Sequence, residues 1–241
     1  SDEPGDIDLT LNLNLLCAGA VQGLVKAQQA EFEARTGATI VARFGAVGGQ
    51  KDALLSGAPC DLMVVTAAMV DALIASGHLV GTTRADIGRV KTGVAVRAGN
   101  AAPAVDTPEA LAAALIAADE IYFPDPERAT AGIHFAGVMR DLGVLEALRP
   151  RFRTFASGAI SMREMAASRA ARPIGCTQVT EILYTGGVSL AGLLPLRFEL
   201  ATTYTAAVAS RATLPGPAQT LLDLLTADSS RALREAGGFE S

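Results

Sequence analysis

Residues 9–37 read LTLNLNLLCAGAVQGLVKAQQAEFEARTG, and the fold follows from how this stretch changes its period. From Leu9 to Cys17 apolar and polar residues alternate and then turn wholly apolar, as a strand does on entering a core. The small residues Ala18-Gly19-Ala20 end that run. Over 21–36 the spacing lengthens, placing Val21, Leu24, Val25, Gln28 and Phe32 on one helical face, and Gly37 stands where a left-handed cap belongs. The unit then repeats. Residues 38–44 form a β-branched strand, 45–49 a glycine-rich loop and 50–55 a helix. Residues 61–66 (DLMVVT) form a strand, and 67–76 a helix with Val70, Leu73 and Ile74 inward. Strand–helix alternation with short small-residue loops predicts an α/β chain whose sheet is mainly parallel and flanked by helices.

Further along, residues 88–99 (GRVKTGVAVRAG) form a long extended segment that reads as a crossing into a second lobe. There the alternation resumes: helix 108–118, strand 120–123, helix 131–142, strand 152–155, helix 160–170 and strand 173–176. A second extended segment, 198–210, carries the chain back to two closing helices, 218–226 and 229–236. Two crossings predict lobes of discontinuous sequence joined by two hinge strands: residues 1–88 with 205–241 in lobe 1, residues 89–204 in lobe 2, and a ligand cleft between them.

Composition narrows the function. With 241 residues, half of them apolar and 19% charged, the chain can fill two ordinary cores. A net charge of −5 offers no basic face, so nucleic acid is not an expected partner, and an anionic ligand must be held by local donors. The longest apolar run, 110–118, lies between Asp106 and Asp119 and is too short to span a membrane. Cys17, Cys60 and Cys176 are odd in number and widely spaced, which fits buried free thiols better than a disulfide framework. With only His78 and His134 besides, neither a metal site nor a cofactor is expected. The opening SDEPGDIDLT reads either as a mature end left after removal of a signal peptide or as a remnant of an expression tag.

Four places share one design, a strand end, small residues and a helix start: Ala18-Gly19-Ala20, the loop from Gly45 through Val47 to Gly48-Gly49, Thr130-Ala131-Gly132 and Ser157-Gly158-Ala159. The first N–H groups of a helix lack internal partners and carry the positive end of its dipole. Any α/β protein needs glycine at tight turns, so one such loop alone means little. Four of them, at the strand ends where α/β ligands sit, point to a cradle for one small anion.

The stretches FGAVGGQKDALLSGAPCDLMV, FPDPERATAGIHFAGVMRDLG and REAGGFE resemble periplasmic molybdate-binding proteins, over about Leu9 to Glu240. The resemblance implies a two-lobed type II periplasmic-binding-protein fold, a bacterial periplasmic setting, a monomer, and capture of a ligand between the lobes. Carried over by position, the family's two ligating serines fall on Ala20 and Val47, its alanine on Ala131, its valine near Ile160 and its closing tyrosine on Gln178. The backbone donors are kept and the three hydroxyls are lost. At roughly 0.5–1.5 kcal/mol per hydrogen bond, molybdate would bind about a hundredfold more weakly or worse. The apolar replacements leave room for carbon, so a small organic anion with one or more carboxylates is the preferred ligand. Further donors to it are sought among Gln22, Gln50, Lys51, Thr130, Ser161, Arg163, Thr177 and Gln178, each of which also reads as an ordinary solvated side chain.

The segment IGCTQVTEILYTGGV is similar to a subgroup of this family that includes bacterial aconitate isomerase. That likeness implies an allylic 1,3-proton shift interconverting cis- and trans-aconitate, with His134, Lys51 or Glu181 as the base. The alternative is a non-catalytic solute-binding subunit of an ABC importer, partnered by a membrane permease and specific for an organic anion or a molybdate-like oxyanion.

Overall fold

The computed structural model describes residues 11–240. Leu9, Thr10 and the opening segment lie outside them. In the first half β1 (Leu11–Ala18), β2 (Ala38–Gly45) and β3 (Leu62–Thr66) alternate with α1 (Gln22–Thr36), α2 (Val47–Leu55) and α3 (Ala67–Ala75). The long strand β4 (Ala85–Arg97) leads into α4 (Pro108–Ala117), β5 (Glu120–Pro124), α5 (Thr130–Asp141), the short α6 (Leu145–Leu148), β6 (Phe152–Phe155) and α7 (Gly158–Ala166). There follow β7 (Pro173–Gln178), α8 (Val179–Tyr184), β8 (Val188–Leu193), β9 (Ala201–Val208), α9 (Pro215–Thr226) and α10 (Arg231–Ala236).

The strands run in the order β2-β1-β3-β9-β4-β7-β5-β6, with β8 also on β4. Each half holds a parallel trio, β2-β1-β3 and β6-β5-β7, because helical crossovers bring its strands back in the same direction. The antiparallel pairings gather at the junction, where β4 and β9 pass between the halves. Residues 85–91 of β4 pair with β9, and residues 92–97 pair with β7 and β8.

Two lobes result, each with its own core. Leu13, Leu15, Phe32, Met63, Val90 and Leu221 belong to one, and Val94, Leu111, Phe123, Phe135, Met139 and Ile174 to the other. A smaller cluster of Ala95, Tyr122, Met162, Met165 and Ile182 backs α7 and α8. Full burial of such a side chain contributes about 1.5–3 kcal/mol. Phe123 adds edge-on contacts to Phe135 and Phe152, at 5.4 and 5.0 Å. The core changes over between Val90 and Val94 on β4, and between Phe198 and Tyr204 on the return. Val179, at the start of α8, packs into the first core although its neighbours in sequence belong to the second lobe.

Several local features depart from the sequence reading, the short helix α6 among them. Helix α2 starts at Val47, so Gly48 and Gly49 form its first turn and not a loop. Helix α7 stops at Ala166, short of residue 170, because Arg97 and Asn100 bind the carbonyls of Ser168 and Ala171 and hold that segment as a loop. The segment between β7 and β9 folds into α8 and β8, which were not expected. The cysteines are free and buried, and burial pushes every thiol up, Cys60 to about 12. Among the described residues no helix is long and apolar enough to cross a membrane.

Candidate functional site

All four small-residue loops open onto one cleft at the junction of the lobes. Ala18, Gly19 and Ala20 follow β1, and Gly45, Ala46 and Val47 follow β2. Pro124, Ala129, Thr130 and Ala131 lie between β5 and α5, and Ser157 and Gly158 follow β6. Gln178, Glu181 and Tyr204 complete the wall. The cleft contains about 300 Å³ of space not filled by protein, part of it open to solvent.

Helix chemistry at the cleft follows from which residue precedes each helix. Ala46 precedes α2 and Ala129 precedes α5; neither has a side chain that can cap. The first internal bonds are Gln50 N–H to the Ala46 carbonyl (3.1 Å) and Ile133 N–H to the Ala129 carbonyl (2.9 Å). Within their helices the amides of Val47, Gly48 and Gly49, and of Thr130, Ala131 and Gly132, therefore have no acceptor. Ala18 likewise precedes the single tight turn Gly19–Val21 without a capping bond. Away from the cleft, α4 is capped by Thr107, whose hydroxyl accepts the Ala110 N–H at 3.1 Å. Alanine at an N-cap costs about 1 kcal/mol relative to serine or aspartate, and here it leaves amides from both lobes facing one space.

The start of α7 differs. Ser157 Oγ accepts the Ile160 N–H (3.2 Å), and Glu181 Oε2 accepts the Ala159 N–H (2.8 Å). The amides of Ala159 and Ile160 are thus engaged by protein atoms. Glu181 Oε1 accepts a further bond from Thr177 Oγ1 at 2.8 Å. Two glycines make room for this carboxyl: a Cβ at Gly19 would stand 2.7 Å from Glu181 Oε2, and one at Gly158 would collide with Glu181 Oε1 and Thr177 Oγ1. Glu181 is 5% exposed. Burial raises its carboxyl from 4.5 to about 7, against the opposing pull of Thr177 and the Ala159 and Gln178 amides. An ionised Glu181 about 4 Å from a bound carboxylate would cost about 4 kcal/mol at an effective dielectric of 20. Hydrogen bonds to a charged group return about 1.5–3 kcal/mol each, so three or more bare amides outweigh that repulsion.

Beside Glu181, Gln178 Nε2 donates to Tyr204 Oη at 2.9 Å. Both residues are 2% exposed, and Gln178 Oε1 has no partner among the described residues.

The other residues singled out from the sequence lie elsewhere. His134 faces away from the cleft, its Nε2 2.7 Å from the Phe198 carbonyl, and ties α5 to the return segment. Lys51 and Arg163 are exposed on the outer faces of α2 and α7. Gln22 is half-buried on α1 and does not line the cleft. Gln50 is buried, its Nε2 donating to the Cys17 and Arg43 carbonyls at 3.1 and 3.0 Å, and so pins the ends of β1 and β2 together. Ser161 Oγ donates to the Ser157 carbonyl. Gly132 is required by packing, since a Cβ there would strike the carbonyls of Pro124 and Asp125. Gly48 lets the Arg128 backbone approach α2, and the Arg128–Asp52 ion pair links the lobes beside it. Tyr204 was not expected at the site; its partner Gln178 is distant in sequence, and only the pairing of β4 with both β7 and β9 brings them together.

Residues 13–240 match the family model described as bacterial extracellular solute-binding protein. An aconitate isomerase from a Pseudomonas species is 24% identical over 238 residues, covering 93% of this chain and 86% of that protein. Among solved structures, the periplasmic molybdate-binding protein of Azotobacter vinelandii superposes with a TM-score of 0.76 at 17% identity, covering 95% of this chain and 99% of the other. A sulfate-binding protein of Mycobacterium tuberculosis H37Rv gives a TM-score of 0.73 at 16% identity, covering 95% and 86%.

Proposed function

The chain belongs to the bacterial extracellular solute-binding protein family and has the two-lobed type II fold of periplasmic binding proteins, and from that premise we propose that it captures a small organic polycarboxylate in the interlobe cleft and isomerises it by an allylic 1,3-proton shift, as between cis- and trans-aconitate. The observation that carries the reading is the meeting, in one cleft, of bare amides from both lobes with a single buried carboxyl, Glu181. The amides at the starts of α2 and α5 bind the ligand's carboxylates and stabilise the negative charge that spreads into them as the dienolate forms. Ionised Glu181 takes a proton from the allylic methylene, the electron pair delocalises over the neighbouring double bond and carboxylate, and the same proton returns at the far carbon. Hydrogen bonds from Thr177 and Ala159 orient the carboxyl, and a value near 7 suits a base that both accepts and returns a proton. Of the three bases considered, Glu181 lines the cleft, whereas His134 and Lys51 do not.

The setting proposed is the periplasm, with a monomer whose lobes, residues 1–88 with 205–241 and residues 89–204, part and close about the two crossings.

A second reading is favoured by one observation: both oxygens of Glu181 already accept protein hydrogen bonds, as a purely structural cap would. In that case the protein is a non-catalytic carrier that delivers the anion to an ABC permease. The two are separated by incubating purified protein with cis-aconitate and following the trans isomer by proton NMR. Turnover that falls a hundredfold or more in Glu181→Gln supports the isomerase. Saturable binding with no turnover overturns it and leaves the carrier.

A further inference from the structure

With the hydroxyls lost at Ala20, Val47 and Gln178, the loops keep the hydroxyls of Thr130 and Ser157 beside their backbone donors. Tyr204 brings one more hydroxyl from a different strand. It stands on β9, where the chain returns between the lobes, with its ring in the first core and its hydroxyl in the cleft wall. Gln178, at the end of β7, donates Nε2–H to that hydroxyl at 2.9 Å. The oxygen of Tyr204 is thereby an acceptor, and its own hydrogen has no acceptor among the described residues, in a residue that lines the cleft. Beside it lies the buried, unpartnered Oε1 of Gln178. If the two ends of the amide are exchanged, the hydroxyl donates to Gln178 and the –NH₂ group is the one left without a partner. Either way the pair keeps at least one hydrogen that no protein atom accepts. Burial pushes the phenol well above its ordinary range, so it keeps its proton.

Resting on the carboxylate-binding reading above, we propose that Tyr204 donates its hydroxyl hydrogen to a carboxylate oxygen of the bound anion, and that Gln178 is the positioning residue that aims it.

The test uses the full chain and an inert probe, propane-1,2,3-tricarboxylate, so that binding is read without turnover. Tyr204→Phe removes the hydroxyl and keeps the ring, and its ligand-free melting curve checks that the fold is intact. Titration calorimetry should show affinity weakened about ten- to a hundredfold, the range for a hydrogen bond to a charged group. In protein labelled at tyrosine Cζ there are three resonances, one per tyrosine, and the one missing in Tyr204→Phe is Tyr204. It should shift on saturation while those of Tyr122 and Tyr184 stay in place. Affinity within twofold of the wild type, or an unmoved Tyr204 resonance, overturns the proposal. If the wild type does not bind the tricarboxylate, the carboxylate reading falls by itself. The same two readouts with sulfate and molybdate then judge Tyr204, where loss and shift support it and their absence overturns it.

Discussion

Replacing Glu181 by glutamine removes a charge from the cleft while keeping an acceptor for the Ala159 N–H. The consequence for stability can be worked from the raised carboxyl. Its value moves from 4.5 to about 7 on folding, and each pKa unit corresponds to about 1.4 kcal/mol. Below pH 4.5 the group is protonated in both states and favours neither. As pH rises from 4.5 to 7 the unfolded chain ionises first, the folded chain binds more protons than the unfolded one, and stability falls. Above about pH 7 both forms are ionised and the loss levels off at about 3 kcal/mol. Glutamine does not titrate and escapes this loss. Urea denaturation of the two proteins at pH 4.5, 6 and 8 should therefore show the mutant gaining about 3 kcal/mol on the wild type across that range. For a chain of this size that is a relative rise of roughly 6–12 °C in Tm. A stability difference that does not change with pH would refute the buried-carboxyl argument and remove the candidate base with it.

Gly158→Ala sets a methyl group against Thr177 and Glu181, and should abolish anion binding by calorimetry while lowering Tm. Gln50→Leu loses both bonds that pin the ends of β1 and β2, and should cost about 1–3 kcal/mol in urea together with weaker binding. His134→Ala loses the bond to the Phe198 carbonyl; it should cost about 1 kcal/mol of stability and leave the affinity for a tricarboxylate within twofold of the wild type.

The order of strands and helices in the first half was legible because each element changes the period of its apolar residues, and Gly37 does adopt the left-handed conformation its position required, at φ 69°. The convergence of the four loops was legible too, since strand ends in an α/β sheet all lie on one side. What failed was the direction of side chains. Lys51 and Arg163 are close in sequence to the cleft, but helical periodicity turns both outward. Gly48 and Gly49 looked like a loop because glycine is a poor helix former; in a first turn that cost is tolerated, and at Gly48 the close Arg128 backbone leaves little space for a Cβ. Helix α8 is six residues long and carries no period to detect. The role of Glu181 as an internal acceptor at the start of α7, and the entry of Tyr204, both depend on contacts across strands whose pairing no local pattern encodes.

Strand β4 gives its first half to one sheet and its second half to the other, and Thr92 stands at the exchange, its N–H donating to the Leu200 carbonyl at 3.2 Å and its carbonyl accepting from Leu194 at 3.4 Å. Neither half owns a complete sheet without this strand. Stripping it from one exposes an edge in the other, so heating or urea should dismantle the molecule in a single cooperative transition, and a chain cut between the halves should not yield two fragments that fold alone.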